Sequence, residues 1–177
     1  MTESLTSSEH VTVYVSGHID PLISGLVVLV FMGTFPQLES SQGDLELGTW
    51  VLNPAKSSYD PGPPLKSQRR NVEKAGDGQR VRNETTTADG MRAVVGYTAR
   101  FDGKDYPVTG SPYGDTVVLE RLDSHTVKAT VKKGGKLVLT DTRVVSNDGK
   151  VLTITQVGMT LNGQAMSNVL VYDRKHR

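Results

Sequence analysis

Arg143 and Asp141 are the charged residues with the clearest capacity for chemistry in this chain. They stand two positions apart in the run Leu137 to Val145, so in a strand they share a face with Leu139 and Val145. A charged pair among apolar neighbours has three uses. Arg143 can pair with Asp141, it can hold an anionic ligand, or it can stack as a cation on the ring of Trp50, the only tryptophan. Each use offsets the desolvation of a buried guanidinium, which is costly when it is left alone. Tyr97, Tyr106 and Tyr172 are the other candidates. Their rings and hydroxyls suit the wall of a cavity that takes a small molecule, or they pack and hydrogen-bond locally. Arg143, Tyr97, Tyr106 and Tyr172 are therefore the candidate ligand-binding residues.

Other chemistry finds little support. There is no cysteine, which excludes disulfides, thiolate metal sites and cysteine nucleophiles. Histidines at 10, 18, 125 and 176 lack metal-ligand spacing, so no metal is expected. No serine, histidine and acid suggest a triad, and Gly103-Lys104 and Gly135-Lys136 fall in hairpins rather than before a helix. The sequence reads as a non-enzyme without a cofactor. All 20 Lys and Arg lie from Lys56 onward, whereas six of the 19 acids precede Gly48, so residues 48–177 carry a net +7. The bases are spread singly, and those at 66–74 and 79–84 have no interleaved aromatic, so a nucleic-acid partner is not expected. Arg69-Arg70 and Lys132-Lys133 read as solvated, and His125 as exposed near a turn.

The elements that position these residues are strands. Asp-Gly, Asn-Gly and Gly-Gly dipeptides recur between alternating runs, the strongest short-range hairpin signal, and type I′ turns are expected at them. Ten strands follow: 50–55, 65–75, 79–87, 91–101, 104–109, 115–121, 125–132, 136–145, 150–159 and 164–174. The strand 65–75 is polar on both faces and reads as an edge or the wall of a wet cavity. The strand 104–109, interrupted by Pro107, reads as an edge or bulge. Nearly every connection is a tight hairpin. An all-β, antiparallel, up-and-down barrel of about ten strands is therefore favoured over a Greek-key sandwich. Gly48 and Trp50 stand at its start, and the large ring fills the closed end.

Residues 1–44 stand apart as a non-barrel leader, with the barrel domain at 45–177. The apolar run 22–35 is shorter than the roughly 20 residues that cross a bilayer and has the length of a secretory signal's apolar region. No Lys or Arg precedes it. Export to the periplasm or the medium is the expectation, with Leu38-x-Ser40 as a cleavage site. An uncleaved run would anchor the chain to a membrane, and a buried hydrophobic strand or helix there would leave the protein cytoplasmic.

Gly48-Thr49-Trp50 resembles the Gly-x-Trp that opens lipocalin and fatty-acid-binding barrels. Four phrases, 48–57, 97–110, 143–150 and 168–173, together resemble a group of small exported bacterial proteins with a lipocalin-like domain. The resemblance covers 48–177 and implies a barrel and export more than an activity. In lipocalins an arginine closes over the tryptophan, a role open to Arg143. Fatty-acid-binding proteins hold a carboxylate with Arg-x-Tyr in the last strand. Here that place reads Leu170-Val171-Tyr172, and no lid helices fit between Ala55 and Leu65, which speaks against a fatty-acid function. The expected function is a monomeric, non-catalytic carrier of a small apolar or amphipathic molecule in the cell envelope. The alternative is a structural or protein-interaction module with a filled barrel.

Overall fold

A computed structural model describes residues 44–175; the leader 1–43, with the apolar run 22–35 and its expected signal or anchor role, lies outside the described residues. Ten strands form one closed antiparallel barrel: β1 (Gly48–Leu52), β2 (Ser67–Ala75), β3 (Gly78–Thr86), β4 (Arg92–Arg100), β5 (Tyr106–Thr109), β6 (Thr116–Arg121), β7 (Thr126–Lys133), β8 (Lys136–Val145), β9 (Val151–Met159) and β10 (Ala165–Arg174). Each strand pairs with its neighbours in sequence, and β1 pairs with β10 to close the sheet. Closure leaves β2 no free edge, so its polar residues sit inside the ring or outside it.

Helix is confined, among the described residues, to one 3-10 turn at Pro54–Lys56. It shortens β1, which was expected to run to Ala55, because Pro54 lacks the N–H that a ladder needs. The chain then turns back along β10: Ser58 N–H donates to Val169 O at 2.8 Å, and Ser167 N–H donates to Asp60 O at 2.7 Å. This extends the seam where β1 has ended. β5, whose Pro107 also removes a donor, shares only two residue pairs with β4 and two with β6.

The hairpins fall where the dipeptides place them, but most are not type I′. Among the described residues none other than glycine has positive φ, so the Asp and Asn that precede these glycines are in ordinary regions. Gly90 N–H donates to Thr87 O at 3.0 Å, Gly149 to Ser146 O at 2.8 Å and Gly163 to Thr160 O at 3.0 Å. Each of these is a type I turn followed by a left-handed glycine, the longer hairpin loop. Only Gly134-Gly135 has positive φ at both positions.

Inward faces follow period two: on β8 Leu139, Asp141, Arg143 and Val145 point in. Met166, Asn168, Leu170 and Tyr172 of β10 do the same. Two apolar clusters result. The larger gathers Trp50, Leu52, Val72, Val81, Val145, Leu152 and their neighbours. The smaller joins Ala99, Val117, Leu119 and Ala129.

Candidate functional site

On β3, β4, β8 and β9 the inward side chains are buried at one end of the barrel and more exposed at the other, whereas those of β10 stay buried from Met166 to Tyr172. Along β8 from the sealed end, relative exposure is 2% at Val145, 3% at Arg143, 8% at Asp141, 7% at Leu139 and 62% at Leu137. On β4 Ala99 is buried, Tyr97 and Val95 are half-buried and Ala93 is exposed. On β9 Leu152 and Ile154 are buried, whereas Gln156 and Gly158 are half-buried. The sealed end carries Trp50. The open mouth lies at the β3–β4, β7–β8 and β9–β10 turns.

The sealed end is built by Gly48, Trp50 and the residues just before them. Trp50 is fully buried and its Nε1–H donates to Glu46 O at 2.8 Å, the one partner the indole needs. The cation over its ring is Arg174, at 4.1 Å, not Arg143. Arg174 also donates to the carbonyls of Leu45, Leu47 and Gly149. Gly48, at φ 131°, leaves room for it, since a Cβ there would lie 2.7 Å from Arg174 Nη1. Residues 44–47 thus form a strap. Asp44, at the expected end of the leader, accepts from Gln79 Nε2 at 2.8 Å and Arg121 Nη2 at 2.7 Å.

Under the strap lies a buried charge cluster. Arg70 Nη2 meets Glu46 Oε1 at 2.7 Å, and Arg143 Nη1 lies 3.6 Å from the same oxygen. Arg143 Nη2 is 3.3 Å from Asp141 Oδ2, so the pair two positions apart on one face is formed. Arg70, expected to be solvated beside Arg69, is 2% exposed: alternation turns Arg69 out and Arg70 in. Glu46 is held below the usual carboxylate range. Burial pushes it up, but the charges of Arg70 and Arg143 and hydrogen bonds from Arg70 and Gln79 more than offset this. Burial pulls Arg143 down, and Tyr97, Glu46 and Asp141 around it carry it further up, so it stays charged. Two cations face two carboxylates, and the cluster as a whole is neutral.

Toward the mouth the network becomes uncharged. Arg143 Nη1 donates to Tyr97 Oη at 2.8 Å, and no acceptor for the Tyr97 proton is found among the described residues. Gln156 Nε2 donates to Asp141 Oδ1 at 3.0 Å, and Asn168 Nδ2 to Gln156 Oε1 at 3.5 Å. Three polar atoms of the cluster lack partners among the described residues: Arg70 Nε, Arg143 Nε and Gln79 Oε1.

Of the four candidate residues, the fold brings Arg143, Tyr97 and Tyr172 inside the barrel and leaves Tyr106 apart. Tyr172 is buried beside Trp50's cluster, with its hydroxyl bonded to Gln68, and burial raises its pKa. The Tyr106 ring packs on the smaller cluster, but its hydroxyl donates to Asp102 Oδ2 at 2.9 Å on the surface. His125 is half-buried rather than exposed, with Nδ1 3.0 Å from Val145 O. Sequence reasoning missed Glu46, Arg70 and Gln79, whose partners lie on other strands. One cleft among the described residues, about 920 Å³, is an open trough outside the barrel along the outward residues Asp173, Val51, Arg69, Glu84 and Val94. A smaller one is an open hollow beside the strap, at Leu45, Lys150 and Arg174.

No family model and no curated protein matches the chain. Among solved structures, zebrafish ileal bile acid-binding protein complexed with cholic acid is similar at 11% identity over 74% of this chain and 99% of that one, with a TM-score of 0.45.

Proposed function

We propose that the barrel is a non-catalytic binding protein for a small apolar or amphipathic molecule that enters through the open mouth. The observation that carries this is the gradient of exposure along the inward faces, which runs from a sealed, packed end to half-exposed Tyr97, Val95 and Gln156. Apolar walls from Val95, Val131, Leu139 and Met166 above a polar floor make the kind of surface that holds an amphipath by burial and orients it by a few hydrogen bonds. Tyr97 supplies a free O–H at that floor.

A second reading, a filled interaction module, is favoured by one observation. The sealed half is solid, and both clefts described lie outside the barrel. The neutral dye N-phenyl-1-naphthylamine separates the two. A carrier raises the dye's emission on titration, and Ala93→Trp, placed at the exposed mouth, suppresses the rise. A filled module shows no rise in either protein. Native mass spectrometry of protein from its own host then identifies what travels with it. Location in the cell envelope rests on the run 22–35, and sequencing of the mature amino terminus tests it.

A further inference from the structure

The charge cluster dictates which amphipaths fit. Arg70 and Arg143 are the buried cations among the described residues, and Glu46 and Asp141 neutralise them at 2.7 and 3.3 Å. Both carboxylates belong to the chain, so a ligand carboxylate finds no uncompensated cation. The order along β8 adds to this. Exposure rises from Arg143 to Asp141, so a group descending from the mouth meets Asp141, backed by Gln156, before it meets the guanidinium. The groups left for a newcomer are the Tyr97 O–H and the second amide N–H of Gln156 and of Asn168, all uncharged, since the other amide atoms are bonded to Asp141, to each other and to the Asp60 N–H. The Nε–H groups of Arg70 and Arg143, without partners among the described residues, can donate to a neutral oxygen without any change in charge.

From this, and resting on the carrier reading, we infer that the site selects uncharged amphipaths, bearing an alcohol, ester or amide end, over carboxylates of the same chain length, and that Asp141 sets this preference. A carboxylate beside Asp141 meets like charge in a partly desolvated site, where Coulomb repulsion outweighs one added hydrogen bond. A hydroxyl or ester accepts from Tyr97 at no such cost. Asp141 acts as a filter and takes no part in bond making or breaking.

Displacement of N-phenyl-1-naphthylamine by dodecan-1-ol, methyl dodecanoate and dodecanoate at pH 7.5, below their micelle concentrations, tests this on the whole chain. The expected result is displacement by the alcohol and ester at concentrations at least about tenfold lower than by the acid. Asp141→Asn, which keeps an acceptor for Arg143 and Gln156 but leaves the cluster at +1, should shrink or reverse that ratio. Equal or tighter displacement by dodecanoate in the unmodified protein overturns the inference and leaves the carrier reading intact. A preference that Asp141→Asn leaves unchanged overturns the role of Asp141. Dye that neither binds nor is displaced overturns the carrier reading, and this inference with it.

Discussion

Replacing Glu46 by alanine would leave Arg70 without its ion-pair partner and deprive Arg143 of one of two. Breaking a buried pair from one side costs about 3–5 kcal/mol, because the remaining charge is stranded. The cost depends on pH with a definite sign. The folded pKa of Glu46 lies below its ordinary value of 4.5, so its contribution is complete above about pH 4.5 and is lost as acid titrates through the lower folded value. Urea midpoints of the parent protein and Glu46→Ala should therefore differ widely at pH 7 and converge in acid. Trp50→Ala should cost about 3–5 kcal/mol, as for other buried aromatics, and an unchanged midpoint would remove the ring from the core. At this scale the pairing of Asp141 with Arg143 was legible, because two positions apart on a strand is a local relation. Glu46, Arg70 and the stacking of Arg174 on Trp50 were not, because each joins parts of the chain far apart in sequence.

Strand by strand, the barrel is unevenly tied. β2 and β3 share nine residue pairs, as do β9 and β10, whereas β5 shares two with each neighbour. Few ladder bonds and a proline make β5 the weakest stave, so the amides of β5 and the facing parts of β4 and β6 should exchange with deuterium before those of β2–β3 and β9–β10. Uniform exchange around the ring would contradict this. The loop after β5 is constrained at two points: Gly110 has φ 73° and a Cβ there would overlap Val94 O, and a Cβ at Gly114 would meet Val131 Cγ1 and Lys132 O. The strand count was legible because glycine dipeptides mark hairpins whatever their turn type. Turn type was not legible, since type I′ and the longer glycine-terminated loop share the same residues. The end of β1 was misplaced because alternation continues through Pro54, where the hydrogen-bonding ladder stops.

At the largest scale, the described residues form a barrel with one solid end and one open end, and the two halves answer to different parts of the sequence. The solid end was foreshadowed by Gly48 and Trp50, which announce closure locally. The open end was not, because the exposure of inward residues depends on how far each strand reaches beyond its neighbours. In solution the ends should separate in one experiment: quenching of the fully buried Trp50 by acrylamide should be weak, and a dye at the mouth should be readily quenched. The seam has a further bearing on how such a chain is made. Trp50 pairs in register with Arg174, and the same arginine covers its ring. During synthesis the indole emerges early, and its lid is translated after nine more strands. No nascent chain that lacks β10 can shut the barrel. Tryptophan emission on a stalled ribosome should stay that of a wet indole until the last strand has cleared the exit tunnel.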